Sequence, residues 1–435
     1  MGAPPALKKQ ATDPGAAGAS RARDQPSPLV CLGLALVGLV LLVLRRPDVL
    51  GSPKLWAEDG AVYMNDAFLR HGYQTFLAPY NGTVYLIPRL WAFATTALPV
   101  ARLPLSYALF ALVFDVACLA IVLSRRFAWL IPSFWVRAAL FLVLILLPGT
   151  WEIYGNLTNS IWYAGLCLLL LSFATDPRSK RGAVAEVVVA VLLALTTAVS
   201  IIVAPLYLLR WWRTRSRQGV ALVIVVGLGG AYQLLETRLH PRVQPSYASV
   251  SGWAYIRTMV ERVGGTAALG QYRLAAWWPG SHPHRHLAAL LLSAVMLAGV
   301  ALLTWFLPRP AALALAVAMA MSLAAATFGL AIPFSQLGDP QTGGRYFVGP
   351  VVILCLALAS AVPVALARLP RPVGFVVLVP VAILAFGVVG DARLRPMPAI
   401  GWTASARCIA SHRQCRVQLD PAAWVVVLPP VSTAH

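Results

Sequence analysis

The sequence predicts an all-α integral membrane protein with about eleven transmembrane helices. Hydrophobic residues make up 59% of the 435 residues and charged residues only 11%, and the mean hydropathy is +0.74. Soluble domains are closer to a quarter charged, so a chain this apolar cannot cover itself with polar surface. Apolar runs recur along the chain at lengths near the roughly 20 residues that one membrane span requires.

The candidate spans are apolar runs separated by polar or basic loops. They cover residues 29–44, 105–124, 138–150, 160–175, 183–197, 199–211, 219–235, 286–307, 311–332, 347–367 and 373–390. Runs 138–150, 183–197 and 199–211 are short, and the last two read as a broken pair that meets at 196–200. These runs are too long and too apolar for barrel strands, which leaves helices as the structure that satisfies the backbone in lipid.

The net charge of +20 is explained by the positions of the basic residues rather than by nucleic-acid binding. Arginines and lysines cluster before the first run and after the second, fourth, sixth, eighth and tenth, which is the positive-inside pattern. This pattern predicts a cytoplasmic N-terminus and an outside C-terminus. Residues 1–28 lack apolar periodicity and are expected to form a disordered cytoplasmic tail.

The membrane domain is expected to cover 29–390, with a first outside loop at 45–104 that contains interfacial helices. Residues 391–435 are expected to form a small outside lobe containing a strand. Cys408 and Cys415 lie seven positions apart in it, and an oxidising compartment favours a disulfide between them. A metal site that uses His412 is the alternative, but it lacks ligands.

Glu58 and Asp59 form an acidic pair directly after the first run, in a chain with only 15 acidic residues. Carboxylates at a membrane surface are costly unless they bind a ligand or perform chemistry. We interpret the pair as the source of a general base that removes a proton from an acceptor hydroxyl. The alternative is that both acids simply open a helix, since acidic residues favour helix N-termini.

The stretch 56–90 resembles the polytopic GT-C-fold glycosyltransferases that use lipid-linked sugars, such as aminoarabinose transferases and protein O-mannosyltransferases. The residues that carry the resemblance are Asp59, Tyr63, Gly72, Pro79-Tyr80-Asn81-Gly82, Tyr85 and Pro88. The resemblance implies that Asp59 is the catalytic aspartate, although Glu58 remains open as the base because its place beside Asp59 departs from the family pattern. It also implies substrate contacts from this stretch, by Tyr63, Tyr80, Asn81 and Arg89. The chain is similar as well to a group of uncharacterised bacterial membrane proteins.

A second candidate cluster lies on the predicted outside turn between spans three and four. It contains Glu152, Asn156, Thr158 and Asn159, together with Trp151 and Trp162. Amides next to aromatic rings suit hydrogen bonding and stacking on a sugar. Ordinary capping of the next helix by Asn159 is the alternative.

The third candidate is Gly343-Gly344-Arg345-Tyr346, before the tenth span. An arginine with flanking glycines suits a phosphate group, and Tyr346 extends the predicted binding set. An interfacial anchor is the alternative. The basic residues of 238–273 could instead serve the lipid phosphate or contact headgroups.

Two further features concern ionisable residues. Asp115 lies within the second span, where it either belongs to a site or pairs with Arg137. We expect no cofactor; a divalent metal is the alternative, for which His282, His284 and His286 are the only histidine group.

These observations lead to one function and one rival. We expect an inverting glycosyltransferase of the bacterial cytoplasmic membrane that moves a sugar from a polyprenyl-phosphate donor. Its acceptor would be an envelope glycan, lipid or protein at the outer face. The rival is a lipid or polysaccharide transporter or flippase, which would need polar residues near the midplane, where only Asp115 and Glu186 are candidate acids.

Overall fold

The computed structural model confirms an all-α multi-pass membrane protein. It describes residues 26–69, 72–241, 251–277, 283–328, 334–337, 339–398, 400–411, 413–421 and 424–428. Most of the predicted tail at 1–28 lies outside these residues. Seven helices in the described part are long and apolar enough to cross a membrane.

The described residues contain twenty α-helices. The first ten are α1 Pro28–Arg45, α2 Asp48–Gly51, α3 Asn65–Leu69, α4 Leu86–Ala94, α5 Leu103–Ala120, α6 Phe134–Ile145, α7 Ser160–Phe173, α8 Lys180–Ala194, α9 Val199–Thr214 and α10 Arg217–Leu239. The others are α11 Gly252–Met259, α12 Thr266–Leu269, α13 Gln271–Ala276, α14 Pro283–Thr304, α15 Arg309–Phe328, α16 Phe334–Leu337, α17 Val348–Arg368, α18 Arg371–Val377, α19 Val379–Gly390 and α20 Trp402–Ala410.

The eleven predicted runs all contain helix, but they do not all qualify as spans. Seven coincide with the long apolar helices. The runs at 138–150, 160–175, 183–197 and 199–211 correspond to α6, α7, α8 and α9, which have only 12, 14, 15 and 16 residues. The count of about eleven spans is therefore not confirmed.

Serine residues set the beginnings of several helices. The hydroxyl oxygen of Ser179 accepts from the amide of Gly182 at 3.1 Å, and that of Ser216 accepts from Gly219 at 2.9 Å. Ser27, Ser133 and Ser251 cap α1, α6 and α11 in the same way. Each hydroxyl satisfies one of the amides that a helix N-terminus leaves unpaired.

The hydrophobic core surrounds α7 and α17, whose residues are largely buried. Small residues let the neighbouring α8, α9 and α10 approach closely. A Cβ atom on Gly230 would lie 3.1 Å from the Cα of Ile201, and one on Gly229 would lie 2.5 Å from the Cβ of Ala194. Close helix contacts through small residues are typical of membrane proteins, where dispersion replaces the hydrophobic effect between helices.

The C-terminal lobe contains α20 and a two-stranded antiparallel sheet, β1 Cys415–Gln418 and β2 Val425–Leu428. Cys408 and Cys415 form the disulfide that the sequence predicted. The lobe contacts the membrane domain through a parallel β-bridge between Trp56 and Asp420. His412, the alternative metal ligand, lies outside the described residues.

Most buried charges in the described part of the chain are paired with backbone groups or with one another. The Asp391 carboxylate accepts from the amides of Gly149 and Gln271 at 2.9 and 2.8 Å. Asp115 is 1% exposed, and neither of its carboxylate oxygens has a hydrogen-bond partner among the described residues. The predicted pairing with Arg137 does not form, because the Arg137 guanidinium donates to the carbonyls of Ile131 and Pro132.

Candidate functional site

A cavity of about 420 Å³ lies at one end of the helix bundle. Its volume falls in the range of small-molecule sites. The walls come from segments far apart in sequence: 56–63, the turn at 80–85, the start of α7, the start of α9, the end of α15, and Arg345 and Tyr346 in the short 3₁₀-helix Gly344–Phe347 before α17. The lining combines polar and aromatic residues with the apolar residues Ile161, Val199, Ile202 and Ala325.

The acidic pair divides between two environments. Glu58 lines the cavity, whereas Asp59 is 0% exposed and does not. The two residues open a π-helix at Asp59–Met64, so their side chains leave the backbone in different directions. Only one of the two carboxylates is therefore available to a molecule in the cavity.

Asp59 holds two chain segments together. Its carboxylate accepts from the amide of Thr158 at 2.7 Å and from the Thr158 hydroxyl at 2.6 Å. It also accepts from the amides of Leu157 and Trp56 at 3.3 and 3.2 Å. These contacts join the acidic segment to the turn before α7, from which Thr158, Asn159 and Trp162 line the cavity.

Burial raises the pKa of both carboxyl groups. The pKa of Asp59 rises to about 7, because loss of solvent outweighs the hydrogen bonds from Thr158 and Trp56, which act in the opposite direction. Burial also raises the pKa of Glu58; the nearby Arg345 charge lowers it and Glu152 raises it. A carboxyl group with a raised pKa in a cavity is a candidate for acid–base chemistry.

Arg345 reaches the same cavity from the other end of the chain. Its guanidinium forms an ion pair with the Glu152 carboxylate and lies 5.1 Å from the centre of the Tyr346 ring. Among the described residues, Arg345 is the only basic one that lines the cavity. An anionic group that entered would therefore meet a single guanidinium that already has a carboxylate partner.

Aromatic rings form part of the cavity wall. Trp162 and Tyr346 meet edge to face with ring centres 5.5 Å apart, and Tyr63 meets Tyr85 in the same way at 6.3 Å. The Tyr63 hydroxyl is buried and has no hydrogen-bond partner among the described residues. Rings and hydroxyls in this arrangement suit a polar molecule with apolar faces, such as a sugar.

The turn that carries Tyr80 and Asn81 is fixed by α10. The amide and carbonyl of Tyr80 pair with those of Thr83 at 2.8 and 3.1 Å across the turn. Asn81 and Gly82 take positive φ angles of 49° and 71°, which suits an Asn-Gly pair. The hydroxyl of Thr237 on α10 donates to the carbonyl of Gly82 at 2.7 Å.

Gln233 on α10 completes this anchor. Its side-chain oxygen accepts from the Val84 amide at 2.8 Å, and its side-chain nitrogen donates to the Val84 carbonyl at 3.0 Å. Gln233 was not among the residues predicted from the sequence. The signal that could have found it is a lone amide within the otherwise apolar span at 219–235, because polar side chains in spans are rarely incidental.

The C-terminal lobe forms backbone hydrogen bonds with residues 55–57, directly before the acidic pair. The amide of Ala57 donates to the carbonyl of Asp420 at 2.7 Å, and the amide of Asp420 donates to the carbonyl of Leu55 at 3.1 Å. Leu419, 1% exposed, packs so closely against Gly60 that a Cβ atom on Gly60 would overlap the Leu419 side chain.

The structure brings most of the predicted site residues together. The cavity is lined by Glu58, Tyr63, Tyr80, Asn81, Asn159, Trp162, Arg345 and Tyr346, all predicted from sequence. It is also lined by Trp56, Tyr85 and Thr158, which belong to the motifs singled out in the sequence, and by Thr83 and Thr197, which were not predicted.

Three predicted site residues do not line the cavity. Arg89 is 3% exposed, and its guanidinium is paired with the Asp66 carboxylate at 2.8 Å. Asn156 is 5% exposed, and its side-chain nitrogen donates to the carbonyls of Glu152 and Tyr154. Asp59 faces the Thr158 turn. All three hold the walls of the cavity instead of lining it.

Among the described residues of 238–286, no histidine or basic residue lines the cavity. His284 and His286 lie in the described part of α14, whereas His282 lies outside the described residues. Among the described residues, no group of three histidine, cysteine or acidic side chains is arranged to hold a metal ion.

No family model, curated protein or solved structure matches the chain at a significant level. The geometry of the cavity is therefore the basis for assigning a function.

Proposed function

We propose that this protein is a membrane glycosyltransferase that uses a sugar linked to a polyprenyl phosphate and acts at the cavity. The observation that supports this proposal best is the presence of one carboxylate, Glu58, and one guanidinium, Arg345, on the same aromatic-walled cavity. A glycosyl transfer needs a base for the acceptor and a cation for the leaving phosphate.

In the proposed reaction, the acceptor hydroxyl oxygen attacks the anomeric carbon of the donor. The bond from that carbon to the phosphate oxygen breaks, and its electron pair leaves with the lipid phosphate. Glu58 takes the hydroxyl proton. The raised pKa of Glu58 supports this role, because a general base works best when its pKa lies near the operating pH.

Arg345 would bind the donor phosphate as its negative charge grows. Guanidinium geometry suits two phosphate oxygens at once, and a fixed cation stabilises the transition state more than the ground state. The first isoprene units would contact the apolar lining residues Val199, Ile202 and Ala325. The acceptor would be an envelope glycan, lipid or protein at the outer face of a bacterial cytoplasmic membrane.

The test measures release of polyprenyl phosphate from radiolabelled polyprenyl-phosphate sugars by the full chain in proteoliposomes supplied with envelope extract. Glu58→Gln should reduce turnover by roughly 100-fold or more, the scale of general-base removal. Glu236→Gln is the matched control, because Glu236 pairs with His240 and does not line the cavity; it should keep wild-type turnover.

Asp59→Asn separates the two acids. We expect it to act mainly on stability, because Asp59 bonds to the Thr158 turn. An inactive Asp59→Asn of normal stability beside an active Glu58→Gln would transfer the base to Asp59. Full turnover in both variants would contradict the mechanism, and ATP-independent lipid movement without sugar transfer would favour the transporter.

A further inference from the structure

We propose that a crevice between α9 and α15, remote from the cavity, binds an anionic phospholipid. Val199 at the start of α9 lines the cavity, whereas Arg213 in the last turn of the same helix lines the crevice. Fourteen helical steps place these two positions roughly 20 Å apart along the helix axis. The crevice therefore belongs to the opposite end of the bundle.

The walls of the crevice suit an acyl chain. Leu206, Leu209 and Trp212 line it from α9, and Pro310, Leu313 and Ala314 line it from α15. Trp212 is 55% exposed and Leu313 is 49% exposed, as expected for side chains that face lipid. A tryptophan beside arginines is typical of the level where headgroups meet acyl chains.

The head of the crevice carries an excess of positive charge. Arg210 has a fully buried side chain that bonds to Glu186 at 2.8 Å and to Asp176 at 2.9 Å. Arg126 also pairs with Glu186. The guanidinium groups of Arg126 and Arg210 thus share the carboxylates of Glu186 and Asp176, and Arg213, which lines the crevice beside Arg210, adds a third positive charge.

Arg213 carries the excess charge. Its guanidinium stacks on the Trp129 ring at 3.8 Å, and one of its nitrogens donates to the Phe173 carbonyl at 3.3 Å. It forms no ion pair within the described part of the chain. The neighbouring Arg210 contributes a second clue, since its buried Nε atom has no hydrogen-bond partner there.

One phosphodiester group would supply the missing negative charge and acceptor oxygens. Basic pockets between transmembrane helices recognise anionic headgroups in this way. The headgroup of a zwitterionic lipid also carries an ammonium group, which would lie near Arg213, so it neutralises the positive charge of the crevice less well. The occupant we assign is therefore a lipid with net negative charge, with its acyl chain against Leu209 and Leu313.

The experiment compares retained lipid by native mass spectrometry after the full chain is exchanged into mixed phosphatidylglycerol and phosphatidylcholine. Wild type should retain phosphatidylglycerol preferentially. Arg213→Gln should reduce that retention roughly fivefold, the scale of one basic residue at an anionic membrane surface. Arg215→Gln is the matched control: Arg215 follows α9 directly and lies over the Trp211 ring at 5.2 Å, but it does not line the crevice.

Leu313→Trp provides a second variant that leaves every charge in place. A larger side chain on the exposed wall should exclude the acyl chain and reduce retention even if Arg213→Gln folds poorly. Equal retention of the two lipids by wild type, or wild-type preference in both crevice variants, would overturn the proposal. A second measurement compares the unfolding temperature of the full chain with phosphatidylglycerol and with inorganic phosphate. If inorganic phosphate raises the unfolding temperature as much as phosphatidylglycerol does, the proposal is overturned, because the acyl chain then contributes nothing.

Discussion

The side-chain amide of Gln233 pairs with the backbone of Val84 in both directions, at 2.8 and 3.0 Å, although 149 residues separate them. Gln233 is 0% exposed. Its side-chain amide satisfies the backbone N–H and C=O of Val84 in the way that a neighbouring β-strand would. Its nitrogen also reaches the carbonyl of Ala194 at 3.3 Å. One side chain on α10 thus fixes the turn that carries Tyr80 and Asn81.

Gln233→Leu should loosen this turn. The change leaves the amide and carbonyl of Val84 buried without partners, which costs about 1–3 kcal/mol. We expect a lower unfolding temperature and faster hydrogen exchange across 80–87. Gln218→Leu, on the same helix, removes bonds to Ala183 and Glu186 instead and should leave exchange at 80–87 unchanged. Equal exchange in the two variants would mean that the turn holds its own shape.

Asp59 should make stability fall as the pH rises. Its pKa is about 7 in the folded protein and 3.8 for an ordinary aspartate, so between these values the folded state binds more protons than the unfolded state. The free energy of unfolding is then greatest below about pH 4 and decreases as the pH rises to 7, because the unfolded chain gives up this proton at lower pH than the folded protein does. Unfolding temperatures of wild type and Asp59→Asn, taken from pH 4 to pH 8, should differ in slope across this window. A wild-type slope in Asp59→Asn would assign the titration to another group.

Gly60→Ala should displace the C-terminal lobe, because the new Cβ atom would overlap the Leu419 side chain. Overpacking of this kind costs about 1–3 kcal/mol. The double variant Gly60→Ala/Leu419→Ala should recover part of the loss, which a double-mutant cycle of unfolding temperatures would detect. Gly33→Ala is the control, since a Cβ there meets nothing within 4 Å. Independent effects at the two sites would contradict the contact.

Glu152→Gln should strengthen the binding of polyprenyl phosphate. Glu152 and the proposed lipid phosphate would compete for the single guanidinium of Arg345, and glutamine keeps the shape of the side chain without the charge. We expect severalfold tighter binding in a fluorescence titration, and much weaker binding by Arg345→Ala. Weaker binding by Glu152→Gln would show that Glu152 orients Arg345 instead of opposing the ligand.

The two ends of the bundle should lie on opposite sides of the membrane. Arg215 follows α9 at the crevice end, whereas Thr403 lies in the lobe that contacts the cavity end. Arg215→Cys should react with a membrane-impermeant maleimide only in inside-out vesicles, and Thr403→Cys only in intact cells. Labelling of both positions from one side would contradict the orientation that the basic loops predict.

The sequence was sufficient to predict helices but not their partners. Apolar runs predicted helix at α6 and α9, yet the residues that pack around these helices lie far away in the chain and are not indicated by the runs themselves. The site was predicted in pieces, as Glu58 beside span one and Arg345 beside a late span. Nothing local indicates that they share a cavity.

Partner choice also explains the site residues that were misplaced. Arg89 carries the same charge in any environment, and only the fold brings Asp66 to it, which removes it from the cavity. Asp59 and Glu58 are adjacent acids with equal claims in the sequence. The turn at Leu157 and Thr158 distinguishes them, because it supplies the donors that hold one carboxylate away from solvent.

The bridge between Trp56 and Asp420 has a consequence for how the protein is made. The acidic segment emerges early in synthesis, but its supporting lobe emerges some 360 residues later. A ribosome that stops before Leu419 therefore leaves a membrane-embedded chain whose acidic segment lacks this support. If the proposed function holds, activity would then report completed synthesis.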